Sequence, residues 1–409
     1  MTTSLTSRER VRRALNHEET DRVPIDFGAS RISGIAAIAY KNLLHALGRQ
    51  EEIRVYDIKQ QLALPSLEMV QHMGADVVQL QRLGPTTGMA FLEIDQWKPG
   101  QLTDGSPCLV PAACAESRRA DGTIEIVRDG QCYAWRSPES FYFDVCYAPL
   151  AQAETTADID AFVWPDPWTE REEQWLKAEV QRLHHGTDKA LFGGLPMFVC
   201  SFFELSLMLF GFENFMMKLA TERDLVEYWL DAKLAHDLAI LDRFLAVAGP
   251  CLQAIQMNDD LGTQDSLQIS PRLYREVLKP RQRQWIEFVK ARTKAKVFIH
   301  CDGAIEPILP DFIEIGIDVL NPLQTSARGM EPERIKQKYG ANLGFWGGGV
   351  ETQTTLPFGS VADIRREVRQ RMQWLKQGGG YVFAPIHNIQ PDIPAEKVLA
   401  VYETAAQCR

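Results

Sequence analysis

The sequence of 409 residues predicts an α/β protein: one (β/α)8 TIM barrel over residues 1–409, with an antiparallel β insertion at 89–148 after the second barrel strand. Three observations predict it. Short β-like runs alternate with amphipathic helical patterns along most of the chain, which implies parallel strands joined by helical crossovers. About eight such units occur, and that number suggests a closed barrel rather than an open sheet. The composition, 45% hydrophobic and 24% charged, is that of an ordinary globular protein.

The elements follow in order. A helix near residues 6–17, opened by Thr6 or Ser7, precedes a first strand at 23–27. The second strand runs over 75–81. Between 89 and 148 the rhythm breaks into alternating runs at 123–127, 132–135 and 141–145, separated by Asp121-Gly122 and Asp129-Gly130. Asp-Gly between alternating apolar residues signals hairpins, and this insertion is expected to cover the barrel mouth. Six further strands are expected at 190–194, 252–257, 296–300, 318–321, 343–346 and 381–384. Ser270 followed by Pro271 caps one later helix. Another carries Val361, Ile364, Val368 and Leu375 on one face and Arg365, Arg366 and Glu367 on the other. Gly378–Gly380 reads as a helix C-cap feeding the last strand.

Composition also excludes classes of function. A net charge of −10 argues against nucleic acid as the main partner. No long Lys/Arg run offers a patch for anionic lipid, and no stretch reaches the ~18 apolar residues of a membrane span. The first residues lack the apolar region of a secretory signal. The eight cysteines form no CxxC pair, so they read as reduced thiols of a cytoplasmic protein.

In a (β/α)8 barrel the reacting groups stand at the C-terminal ends of strands. The polar residues there are Asp26; Gln79 and Gln81; Asp259 and Asp260; His300 and Asp302; Asn321 and Gln324; Trp346 with Gly347, Gly348 and Gly349; and His387 with Asn388. His300 and Asp302 project to one side of an extended backbone. With His387 they would form a 2-His-1-carboxylate metal set with open positions. Cys301 points the other way, into the layer between strand and helix. Asp259 and Asp260 repel one another, which raises one pKa and supplies an acid or base; one of the pair is expected to be structural and one functional. Trp346, Gly347 and Gly348 form a loop whose N–H groups can approach an anion. Arg31 is a candidate clamp for a carboxylate or phosphate, and Asn321 and Gln324 complete the expected substrate-binding set. No GxSxG, HExxH or Cys/His nucleophile pattern is present.

These residues resemble the uroporphyrinogen decarboxylase superfamily. The resemblance rests on Asp259-Asp260-Leu-Gly-Thr-Gln264, Ile269-Ser-Pro271 with Tyr274, Lys279-Pro280, His300 with Gly303, and Ile305 with Pro307. It continues through Asn321-Pro322, Trp346-Gly-Gly348 and Tyr381-Val-Phe-Ala-Pro-Ile-His-Asn-Ile-Gln390, and Arg8 to Val11 and Asp21 to Pro24 resemble the family's start. It covers nearly the whole chain outside 89–148 and implies a (β/α)8 barrel, often a homodimer. The resemblance implies two branches. In the decarboxylases an Arg-rich first loop binds substrate carboxylates, and an Asp engages the pyrrole nitrogens without metal. Here Arg31 lacks the paired-arginine pattern, although Asp259 or Asp260 can take the place of that Asp. In the corrinoid-dependent methyltransferases a His-x-Cys motif and a distant Cys hold zinc. His300 matches that His; Asp302 and His387 fall where the two Cys would stand. Harder ligands leave a metal more Lewis-acidic.

The expectation is therefore a metal-dependent enzyme, zinc by default, acting on a small oxygenated, anionic substrate. Its reaction would be methyl (C1) transfer with a corrinoid carried by a partner protein. Asp260 or Asp259 would be the acid/base and His300, Asp302 and His387 the metal ligands. The alternatives are a metal-free decarboxylase or other carbon–carbon lyase, and a catalytically inactive binding barrel.

Overall fold

A computed structural model describes residues 4–165 and 167–408. Its centre is a seven-stranded parallel sheet. In spatial order the strands are Val77–Gln81, Ala190–Gly194, Leu252–Asn258, Lys296–His300, Val319–Asn321, Gly344–Trp346 and Tyr381–Val382. Each strand pairs with the next in this order, so every connection is a crossover, most of them helical.

The sheet has seven strands rather than eight because the segment expected as the first strand is reduced to one bridging residue, Ile25. Pro24 has no N–H to give a ladder. The segment nevertheless spans the two sheet edges. Phe383 N–H donates to Pro24 O at 2.8 Å and Asp26 N–H to Phe383 O at 2.9 Å, while Asp76 N–H donates to Ile25 O at 2.7 Å. The Asp76 carboxylate fixes this seam further. It accepts from Ile25 N at 2.9 Å and pairs with Arg10 and Arg22 at 2.6 Å each.

Side chains alternate across the strands. Val77, Ala190, Phe192, Ala254, Phe298, Val319 and Trp346 form one inner cluster. Val11 and Leu15, from helix Ser7–Leu15, join that cluster. Thr6 caps this helix by accepting from Glu9 N at 3.2 Å. The outward set, including Val297, Ile299 and Cys301, packs beneath the helices. On helix Val361–Leu375 the buried face is Ile364, Val368, Met372 and Leu375, and Ser360 and Asp363 form its capping box. Ser270 caps its helix by accepting from Leu273 N at 3.2 Å.

Antiparallel strands lie in the chain between Gln81 and Ala190. Trp97–Gln101 pairs with Pro107–Pro111, and Glu116–Arg118, Ile124–Arg128, Gln131–Arg136 and Asp144–Val145 form a four-stranded sheet. Asp129 and Gly130, at φ 51° and 76°, make the two-residue turn between Arg128 and Gln131. Among the described residues no helix is long and apolar enough to cross a membrane.

A candidate metal centre at the strand ends

His300 closes strand Lys296–His300, with its neighbour Ile299 turned outward into the core. Its Nδ1 lies 2.8 Å from Asn321 Oδ1, and Asn321 Nδ2 donates to Trp346 O at 2.8 Å. A carbonyl can only accept, so the Trp346 contact decides which way the Asn321 amide faces. Its oxygen then takes the Nδ1 proton, so that in the neutral ring Nε2 of His300 presents its lone pair to the mouth. His387 repeats the device: its Nδ1 lies 3.1 Å from Asn388 Oδ1. Burial first, then the neighbouring His300, pushes His387 down to about 4, so it is neutral at physiological pH.

Asp302 follows His300 by two residues, its Oδ2 3.6 Å from His300 Nε2. One ligand atom each from His300, Asp302 and His387 lies within 4.8 Å of the others. Asp260 joins them from the neighbouring loop: its Oδ1 accepts Asp302 N–H at 3.0 Å and lies 3.7 Å from His300 Nε2. Two glycines allow this approach. A Cβ on Gly303, at φ 95°, would sit 2.5 Å from Gly262 C and 2.6 Å from Thr263 O, and one on Gly262 would sit 2.5 Å from Asp302 O. Gln324 supports the same loop by accepting Gly303 N–H at 2.6 Å.

The charges are crowded. Burial raises the carboxyls of Asp260, Asp302 and Glu204, each further raised by a neighbouring carboxylate. Burial disfavours the His300 cation, yet the flanking Asp260 and Asp302 carry its pKa above the ordinary imidazole value.

Other expected site residues sit elsewhere. Asp259 is fully buried and holds the start of helix Phe203–Phe210. Its Oδ1 accepts from Ser201 Oγ and from the N–H groups of Phe202, Phe203 and Glu204 at 2.7–3.2 Å, and Oδ2 accepts from Gln282 at 2.9 Å. Burial raises it to about 6 even though donors, Gln282 foremost, favour its charge. Asp259 is therefore structural, and Asp260 is the carboxylate that faces the site. The glycine loop does not cradle an anion through the N–H groups of Gly347 and Gly349, which donate to Val382 O and Ala384 O. Trp346 is buried, its indole on Asp26 at 2.8 Å. A Cβ on Gly347 would crowd Asn321 Nδ2 at 3.1 Å, and one on Gly348 would press on Leu323 at the same distance. These residues pack against Asn321 and Leu323 at the ends of the neighbouring strands.

Arg31 lies to one side, hydrogen-bonded to Thr87 and 3.9 Å from Asp57. With Tyr56, Asp57, Gln79, Gln81 and Gln256 it lines a narrow pocket. Tyr56 OH, Asp57 Oδ2, Gln79 Oε1, Gln81 Oε1 and Gln256 Nε2 are all buried there without hydrogen-bond partners. Gly194 opens the space, since a Cβ there would meet Gln79 Nε2 at 2.2 Å.

Two site residues escape sequence reasoning. Glu204 accepts from Asn258 Nδ2 at 2.5 Å beside the carboxylates; its only signal is a charge interrupting an apolar helix. Tyr142, from the connection between two antiparallel strands, donates its hydroxyl to Asn388 Oδ1 at 2.6 Å and accepts from Gln390 at 2.6 Å. Nothing in its local pattern marks it.

One solved structure shares the fold over its whole length. A methyltransferase from Methanosarcina mazei superposes with a TM-score of 0.58 and 18% identity, over 99% of each chain. A GH113 β-1,4-mannanase superposes at 0.34 with 12% identity, over 59% of this chain and 81% of that one. No curated protein matches the sequence. The uroporphyrinogen decarboxylase (URO-D) family matches residues 149–408, beginning just past the antiparallel strands. That match spans more than half of the sequence, and the chain belongs to the uroporphyrinogen decarboxylase family.

Proposed function

We propose that the protein is a metal-dependent enzyme that transfers a methyl (C1) group of a small oxygenated substrate, with a corrinoid protein as partner. The observation that carries this reading is the convergence of His300, Asp302 and His387 within 4.8 Å. The set fits a divalent cation: both imidazoles have Nδ1 engaged by an asparagine, leaving Nε2 as the donor, and a carboxylate completes three ligands. Zinc is the default among metals that accept nitrogen and oxygen donors. When bound, the ion would supply Lewis acidity to a methoxy, carbonyl or carboxylate oxygen.

The chain's own residues do the rest. Asn321 and Asn388 hold the two rings and their tautomers. Asp260, beside His300, moves the proton. Arg31 and the unpartnered atoms around it hold the polar end of the substrate. Methyl transfer is preferred to decarboxylation because Arg31 stands without a second arginine in its loop, and because the Methanosarcina mazei structure is described as a methyltransferase.

Elemental analysis of protein purified without added metal tests the site against a His300→Ala/His387→Ala double variant. About one equivalent in the wild type and little in the variant is expected. Equal, near-zero metal in both would sink the reading. The 3.7 Å approach of Asp260 to His300 Nε2 favours a second reading, a metal-free lyase using that pair as acid and base. Activity that survives chelation, with release of CO2, would select it.

A further inference from the structure

Cys132 and Cys146 stand side by side in the antiparallel four-stranded sheet. Cys132 lies within strand Gln131–Arg136, and Cys146 directly follows strand Asp144–Val145. The pairing of the two strands continues past Val145, because Cys146 N–H donates to Tyr133 O at 2.9 Å. The sulfurs are 3.2 Å apart, and both residues are reachable from solvent: Cys146 is exposed and Cys132 partly so. Cys108, Cys114, Cys200 and Cys301 are by contrast buried.

We propose that Cys132 and Cys146 form a reversible disulfide, a modification site whose oxidant is a low-molecular-weight disulfide of the glutathione class. The first step falls to Cys146. Cys146 is the more exposed of the two and meets an incoming small disulfide first, while burial, and then the neighbouring Cys146 sulfur, raise the Cys132 thiol. The Cys146 thiol loses its proton, attacks the small disulfide and expels one thiolate, which takes up that proton. Cys132 then loses its proton and attacks the Cys146 sulfur of the mixed disulfide. The Cys132–Cys146 bond forms, and the second small thiol leaves with the proton. Two protein thiols are oxidised by two electrons, and one small disulfide is reduced to two thiols.

The bond would close a ring around the connection that reaches the candidate site. That connection carries exposed Phe141; Tyr142, whose hydroxyl rests on Asn388; and Phe143, whose N–H donates to Lys59 O at 2.8 Å. A covalent tie between its two ends restricts how far Tyr142 can leave Asn388.

The test uses the full chain treated with oxidised glutathione, then intact mass, thiol titration and non-reducing peptide mapping. A loss of about 2 Da and of two titratable thiols is expected, with the Cys132 and Cys146 peptides joined and dithiothreitol restoring both. Cys146→Ser is expected to abolish the reaction. Cys132→Ser is expected to stop at a mixed disulfide on Cys146, a gain of about 305 Da. Chymotryptic cleavage after Phe141 is expected to slow about tenfold in the oxidised wild type. Retention of all thiols, or a stable mixed disulfide in the wild type, overturns the proposal. Unchanged cleavage of the oxidised protein overturns its effect on the connection.

Discussion

Replacing Gly303 by alanine tests whether close packing of two loops builds the candidate site. The new Cβ would lie 2.5 Å from Gly262 C and 2.6 Å from Thr263 O, at φ 95°. Ordinary contact begins about 1 Å farther out, and the obstacle is backbone, which cannot swing aside as a side chain can. Strain at positive φ and overpacking together amount to about 2–5 kcal/mol of lost stability. Relief comes by separating the loops, which lengthens the 3.0 Å bond from Asp302 N–H to Asp260 and carries the Asp302 carboxylate away from His300. Metal affinity is expected to fall about 10–100-fold, the loss typical of a displaced supporting contact. Urea denaturation measures the first effect, and calorimetric titration with Zn2+ the second. A variant with wild-type stability and wild-type Zn2+ affinity would refute the packing argument. Lost stability with unchanged affinity would refute only its link to the ligands.

Three further outcomes are expected. Asp259→Asn should lower stability by about 2–4 kcal/mol by removing the charge that gathers five donors, while metal content stays at the wild-type level; loss of metal without loss of stability would return Asp259 to the active machinery. Asn321→Leu should weaken Zn2+ binding about 10–100-fold, because His300 loses the partner that fixes its tautomer; unchanged affinity would count against that role. The third concerns Asp26, raised by burial to about 6. A carboxyl with a folded pKa above its unfolded value of 3.8 binds its proton more readily when folded. Its contribution is full below about pH 4 and is lost as pH rises through 6, by up to about 3 kcal/mol. The stability of the wild type relative to Asp26→Asn, from urea curves between pH 4 and 7, should therefore fall with pH, and a flat difference would contradict it.

The inner face of the parallel sheet was legible because strand alternation is a local property: Phe298 and His300 share one side, and Ile299 and Cys301 the other. The grouping of His300 with Asp302 follows from the same period of two. The first strand was not legible as it stands, because Val23–Phe27 has strand-like composition while Pro24 withholds one donor and the edges it bridges are set by distant residues. The glycines at 347–349 read as an anion loop, but their amides answer to strand Tyr381–Val382 and Ala384, which local sequence cannot reveal. Asp259 and Asp260 look equivalent in one dimension. Only the fold shows that one faces the start of a helix and the other faces His300.

Ile25 has a consequence for synthesis. Its segment bonds to residue 76 on one side and to residue 383 on the other. During translation the first contact can form early, but the second waits until residue 383 has left the ribosome, about 300 residues later. The growing sheet therefore carries an open edge through most of its production. Such an edge is prone to pairing with other chains. Shortening the C-terminus ahead of Phe383 would make that transient exposure permanent, so such truncations should accumulate as aggregates, not as smaller soluble barrels.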